Sequence, residues 1–144
     1  MLEANEQQKS EHSVLCPTNQ YVATKAAAEL LAQSYNHSFR LPIIITRGNN
    51  VYGPRQNPEK LIPRFIKLLR DDERVTIQGD GSATRAFMYA EDAAKAFTCV
   101  LDNGKVGEIY NLGCDSGSEL TVHEVATKLI QRLKPGNAVD KRIE

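Results

Sequence analysis

The chain has 144 residues, 41% apolar and 25% charged, which suits one ordinary globular domain with a modest core. Lys plus Arg and Asp plus Glu number 18 each, so no net field recruits nucleic acid or an acidic membrane surface, and neither is expected as a partner. No apolar run approaches the roughly 20 residues that span a bilayer, and the polar stretch 1–13 lacks the apolar centre of a signal peptide.

In chain order, residues 1–16 read as a disordered or truncated leader. Pro17-Thr18-Asn19-Gln20 then opens a helix over 21–39, with Thr18 or Asn19 near the cap. Ala23, Ala27, Leu30, Leu31 and Ser34 fall on or near one face of it. Pro42-Ile43-Ile44-Ile45-Thr46 is short, β-branched and continuously apolar, the pattern of a buried parallel strand. Residues 47–57 read as a Gly/Asn/Pro-rich loop, and 59–70 as a helix that becomes regular only after Pro63. Val75-Thr76-Ile77 is a short strand ending at the Gly79-Asp80-Gly81 turn, and Phe87-Met88-Tyr89 is a second extended piece. An alanine-rich helix over 91–102 closes at Asn103-Gly104, and 108–112 is a strand. Thr121 and Glu124 form a capping box that opens a helix to about residue 133, and 135–144 is a polar tail.

Strands alternate with helices, so the class is α/β. The first strong element is a helix and only one long parallel strand comes after it, fewer than a doubly wound sheet needs. Residues 17–134 therefore read as the later part of a larger fold: the C-terminal part of a parallel sheet, joined to a small substrate-binding lobe. Cys16, Cys99 and Cys114 are far apart with no C-x-x-C, and His12, His37 and His123 are scattered. This pattern reads as reduced thiols in a cytoplasmic chain, with no metal site.

Two features carry chemistry. Tyr21 and Lys25 are one helical turn apart and share a face. A phenol is a poor base in neutral water, and a neighbouring ammonium favours its phenolate. Such a pair can take a proton from a hydroxyl while hydride leaves the same carbon, although Y-x-x-x-K also recurs by chance on solvated helices. The second feature is the run from Thr46 to Gln56, Thr-Arg-Gly-Asn-Asn-Val-Tyr-Gly-Pro-Arg-Gln, directly after the apolar strand. Ligands of open α/β sheets lie beyond the carboxyl ends of strands, so this loop is either a binding strap or an ordinary turn.

Together with Pro58-Glu59-Lys60-Leu61-Ile62-Pro63, Gly79-Asp80-Gly81, Arg85, Tyr89-Ala90-Glu91-Asp92 and Gly107-Glu108-Ile109-Tyr110-Asn111-Leu112-Gly113, these features resemble the dTDP-glucose and UDP-glucose 4,6-dehydratases. Those belong to the NAD-dependent epimerase/dehydratase family of extended short-chain dehydrogenases/reductases, with a Rossmann-type fold. The likeness runs from about Pro17 to Leu133, and the 58–63 run favours the dehydratases over the related epimerases. It implies that Tyr21 is the base and that Lys25 is its partner, both also touching NAD. It implies further that Asn50, Lys60, Leu61, Arg85 and Asn111 contact the nucleotide sugar, Arg85 at the pyrophosphate. The 21–39 helix would pack against its copy in a homodimer.

The departures are specific. The nine glycines supply no G-x-G-x-x-G turn for a cofactor pyrophosphate. The family's Thr-Asp-Glu run is missing as well, Gln20 stands where a proline is usual, and Thr76-Ile77-Gln78 does not fix the nucleobase. The expectation is a stretch of a 4,6-dehydratase without its N-terminal dinucleotide-binding half, inactive alone. A nucleotide-sugar epimerase or decarboxylase of the same superfamily, and a non-catalytic interaction module, are the alternatives.

Overall fold

Asn19 starts the first helix: its backbone is extended, and its side chain accepts from the Val22 N–H at 3.0 Å. The computed structural model describes residues 10–113, 117–136 and 138–144, so Cys114 and the stretch 1–9 lie outside the described residues. The chain divides into two units: residues up to Gly48 with Asp92–Leu112, and Asn49–Glu91 with Gly113–Glu144.

In unit one, α1 (Gln20–Phe39) ends where Arg40 turns left-handed. β1 (Ile45–Gly48) pairs in parallel with β5 (Ile109–Leu112), Ile45 opposite Ile109 and Gly48 opposite Leu112. The strand expected over 42–46 begins later, because the Ile43 N–H turns back to the Leu41 carbonyl at 2.9 Å. It is half-buried rather than buried. α1 is largely uncovered. None of its residues is buried, and Leu30 and Leu31 are 58% and 61% exposed. The partly covered face instead carries Val22, Ala23, Ala26, Glu29 and Gln33. Glu29 selects that face: its carboxylate takes Arg47 Nη2 at 2.6 Å and Nε at 3.0 Å, a forked pair tying α1 to β1. Glu11, from the stretch expected as a leader, accepts the Asn111 N–H at 3.1 Å, and its carbonyl accepts from Arg47 Nη1 at 3.2 Å.

Unit two holds the core. α2 (Leu61–Arg70) supplies Phe65 and Leu69, α4 (Val122–Leu133) supplies Val125, Ala126 and Ile130, and Val75 completes the cluster. α2 starts at Leu61 rather than after Pro63. A proline fits the first turn, where its missing N–H would have no helical acceptor. α4 carries the expected capping box: Thr121 Oγ1 accepts the Glu124 N–H at 3.0 Å, and Glu124 Oε2 accepts the Thr121 N–H at 2.8 Å. The Val75 strand is a single parallel bridge to Ile143, held by Val75 N–H to Arg142 O and Ile77 N–H to Glu144 O, both 2.7 Å. Val139 and Ile143, in the stretch read as a polar tail, pack against the core. Asp72 fastens that segment, pairing with Lys134 at 2.9 Å and Arg142 at 3.0 Å.

Two further pairings complete unit two. β2 (Asn50–Tyr52), inside the stretch read as loop, runs parallel to β4 (Phe87–Tyr89). β3 (Thr84–Arg85) runs antiparallel to β6 (Leu120–Thr121). α3 (Ala90–Asn103) starts directly after β4. Among the described residues no helix is long and apolar enough to cross a membrane, and no group of three His, Cys, Asp or Glu is placed to hold a metal.

Candidate functional site

The parallel ladder of β2 and β4 sets Asn50 opposite Phe87 and Tyr52 opposite Tyr89. Asn50 Nδ2 reaches the Ala86 carbonyl at 3.4 Å. After β2 the chain passes so close to Ala90 that a Cβ on Gly53 would lie 2.8 Å from the Ala90 Cβ, so only glycine fits there. The strap then folds on itself. Gln56 N–H donates to Gly53 O at 3.3 Å, Gln56 Nε2 donates to Val51 O at 2.8 Å, and Asn57 accepts from the Glu59 N–H at 2.9 Å. It delivers Lys60 to the cap of α2, where no side chain takes the first helical N–H groups.

This path borders an open pocket of about 270 Å³ in unit two, lined by Asn50, Tyr52, Gln56, Lys60, Leu61 and Arg85, with Val51, Ile62 and Phe87 beside them. Arg85 comes from β3, whose partner residue is Leu120. Neither the Arg85 guanidinium nor the Lys60 ammonium pairs with a carboxylate among the described residues. Two uncommitted cations and an uncapped helix start suit an anion such as a diphosphate. Tyr52 packs against Phe87 and Tyr89, ring centroids 6.4 and 5.6 Å apart, and gives one wall an aromatic character.

Four of the residues singled out from sequence, Asn50, Lys60, Leu61 and Arg85, therefore line one cavity. The other three belong to unit one. Tyr21 and Lys25 meet on the first turns of α1, with Lys25 Nζ 5.9 Å from the Tyr21 ring centroid, and Tyr21 is 70% exposed. Asn111 lies on β5 opposite Arg47. Sequence reasoning passed over Tyr52, Gln56 and Phe87.

Residues 2–113 match the NAD dependent epimerase/dehydratase family. The chain is 50% identical over 124 residues to the dTDP-D-glucose 4,6-dehydratase of Dictyostelium discoideum, covering 86% of this chain and 28% of that protein. Over 116 residues it is 53% identical to a trifunctional UDP-glucose 4,6-dehydratase/epimerase/reductase of Arabidopsis thaliana, covering 81% of this chain and 17% of the relative. The crystal structure of a dTDP-glucose 4,6-dehydratase from Bacillus anthracis in complex with NAD superposes with a TM-score of 0.89 at 36% identity, over 97% of this chain and 43% of that one. The chain belongs to the NAD dependent epimerase/dehydratase family. Its α/β arrangement is part of the Rossmann-like extended short-chain dehydrogenase/reductase fold, and the chain spans less than half the length of these relatives.

Proposed function

We propose that this chain supplies the oxidation pair and the sugar-nucleotide cradle of a nucleotide-sugar 4,6-dehydratase. That enzyme converts dTDP- or UDP-glucose to the 4-keto-6-deoxy sugar. The observation that carries the reading is the gathering of Asn50, Lys60, Leu61 and Arg85 around one cavity with two uncommitted cations. Arg85 grips the diphosphate through its planar fork, Lys60 adds a second positive charge, and Asn50 offers an amide to the sugar nucleotide. Tyr21 takes the C4 hydroxyl proton and Lys25 supports it. Both stand on one helix face, open to a ligand, which fits the ribose side of NAD.

NAD supplies the hydride acceptor when bound; its ribose would rest on Tyr21 and Lys25. The sequence has no G-x-G-x-x-G turn for the cofactor pyrophosphate and no Thr-Asp-Glu run for water removal, so those duties fall outside these 144 residues and the isolated chain is inactive. Thymine and uracil fit the reading equally, since relatives of both nucleotides match at similar identity. We assign the protein to the cytoplasm, with α1 as its homodimer contact: Leu30, Leu31, Tyr35 and Phe39 leave an apolar flank uncovered.

The test is a kinetic split in a full-length dehydratase carrying this sequence. Tyr21→Phe should lower kcat by about 10²–10⁴ and leave KM near its parent value, as expected for loss of a general base. Arg85→Ala should chiefly raise KM, because the diphosphate charge is present in ground and transition states alike. Near-normal kcat in Tyr21→Phe would reject the assignment.

A further inference from the structure

Arg47 stands between the helix that carries Tyr21 and Lys25 and the strand that carries Asn111. Its Nη2 and Nε fork onto the two carboxylate oxygens of Glu29 on α1, at 2.6 and 3.0 Å. Its Nη1 donates to the Glu11 carbonyl at 3.2 Å, and the Glu11 carboxylate accepts the N–H of Asn111, the residue opposite Arg47 in the β1–β5 ladder. The ion pair is shielded, the Arg47 and Glu29 side chains being 23% and 11% exposed. No side chain of α1 is buried, so apolar packing does little to fix the rotation of this helix about its own axis. A two-point fork does fix it. Each step of four residues advances a helix by about 40°, so Tyr21, Lys25 and Glu29 lie in one band about 80° wide. A hold on Glu29 is therefore a hold on the face that carries Tyr21. At a side-chain radius of about 5–6 Å, a rotation of roughly 10° moves a side-chain tip by about 1 Å. A misplacement of about 1 Å at a reacting centre costs up to about 10² in rate.

We propose that Arg47 is a positioning residue: by clasping Glu29 it sets the rotation of α1, and with it the place from which the Tyr21 phenol meets the sugar hydroxyl. This rests on the dehydratase reading and adds to it a residue that acts through α1 rather than on the ligand. All three guanidinium nitrogens of Arg47 are engaged by Glu29 and Glu11, whereas Arg85 pairs with no carboxylate among the described residues. A lysine at position 47 would keep the charge, but its single nitrogen cannot reproduce the fork.

The test uses a full-length dehydratase carrying this sequence, loaded with NAD, as wild type, Arg47→Lys, Glu29→Gln and Tyr21→Phe. The substrates are dTDP-glucose and UDP-glucose with hydrogen or deuterium at C4. Arg47→Lys should lower kcat roughly ten- to a hundredfold and leave KM within about twofold of wild type. Its C4 isotope effect should rise to that of Tyr21→Phe, because breaking the C4–H bond becomes the slow step. Glu29→Gln keeps one acceptor oxygen for the fork, so kcat should fall the same way but less. Hydrogen exchange of the resting enzyme gives a second readout. In Arg47→Lys the Asn111 amide should exchange faster while the α1 amides keep their wild-type protection, the mark of a helix turned rather than melted. An isotope effect left at the wild-type value, or α1 amides that lose protection, makes Arg47 a plain stabiliser and overturns the proposal. A raised KM with kcat kept also overturns it, since that would put Arg47 on the ligand. Normal kcat in Arg47→Lys beside a crippled Tyr21→Phe overturns this inference alone. Normal kcat in Tyr21→Phe removes the dehydratase reading itself, and this inference with it.

Discussion

The two units bury their apolar residues very differently. In unit two, Phe65, Leu69, Val75 and Ile130 are each at most 1% exposed, and helix, bridge and C-terminal segment close around them. In unit one only Ala93 and Leu112 are buried among the described residues, while Tyr21, Leu30, Leu31, Phe39, Phe97 and Leu101 are half or more exposed. Both units have comparable helices and parallel pairings. The lesson is that an apolar stripe marks a surface to be covered, and whether the same chain covers it is a separate matter. Unit two has the makings of a self-contained lobe; unit one has a face that another surface would complete.

The largest expected effect tests that asymmetry directly. Phe65→Ala should destabilise the chain by about 3–5 kcal/mol in denaturant unfolding, through lost burial and the cavity left behind. Leu31→Ala, also large to small on a helix, should change stability by no more than about 0.5 kcal/mol. Instead, Leu31→Ala should reduce self-association in light scattering at high protein concentration. Equal destabilisation by the two substitutions would erase the distinction between the units.

A smaller effect sharpens it through pH. Hydrogen bonds from Lys134, then from Arg142, hold the Asp72 carboxyl below its ordinary range. A lowered folded value stabilises above the unfolded value and is lost as pH falls through the folded one. Asp72→Asn should therefore lower the thermal midpoint at neutral pH, and its difference from wild type should shrink below about pH 4. A difference that persists in acid would show that the ion pairs do not fasten the C-terminal segment.

Much of this arrangement was legible in the sequence, and the parts that were not have physical reasons. Helices α1, α3 and α4 could be read from caps and periodicity, since Asn19, the Thr121–Glu124 box and Asn103-Gly104 act locally. The parallel sense of β1 could be read from its apolar run. What stayed hidden depends on partners distant in sequence. β2 is three residues long and exists because Phe87 to Tyr89 lie beside it. Val75 pairs with Ile143 across 68 positions, which no local pattern announces. The partly covered face of α1 includes Glu29, which reaches Arg47 18 positions on, a pairing that no local pattern announces. Among site residues, Asn50, Lys60, Leu61 and Arg85 could be named from their motif. The wall residue Gln56 could not, because its bond to the Val51 carbonyl exists only in the folded strap.

The most direct test of the account is a paired calorimetric titration of the chain with UDP and with NAD. The lining residues of the cavity all belong to unit two, whereas the sequence holds no G-x-G-x-x-G turn for an NAD pyrophosphate. Saturable UDP binding that Arg85→Ala weakens is expected, with no saturable NAD binding at micromolar concentration. Tight stoichiometric NAD binding without UDP binding, or UDP binding indifferent to Arg85→Ala, would contradict it.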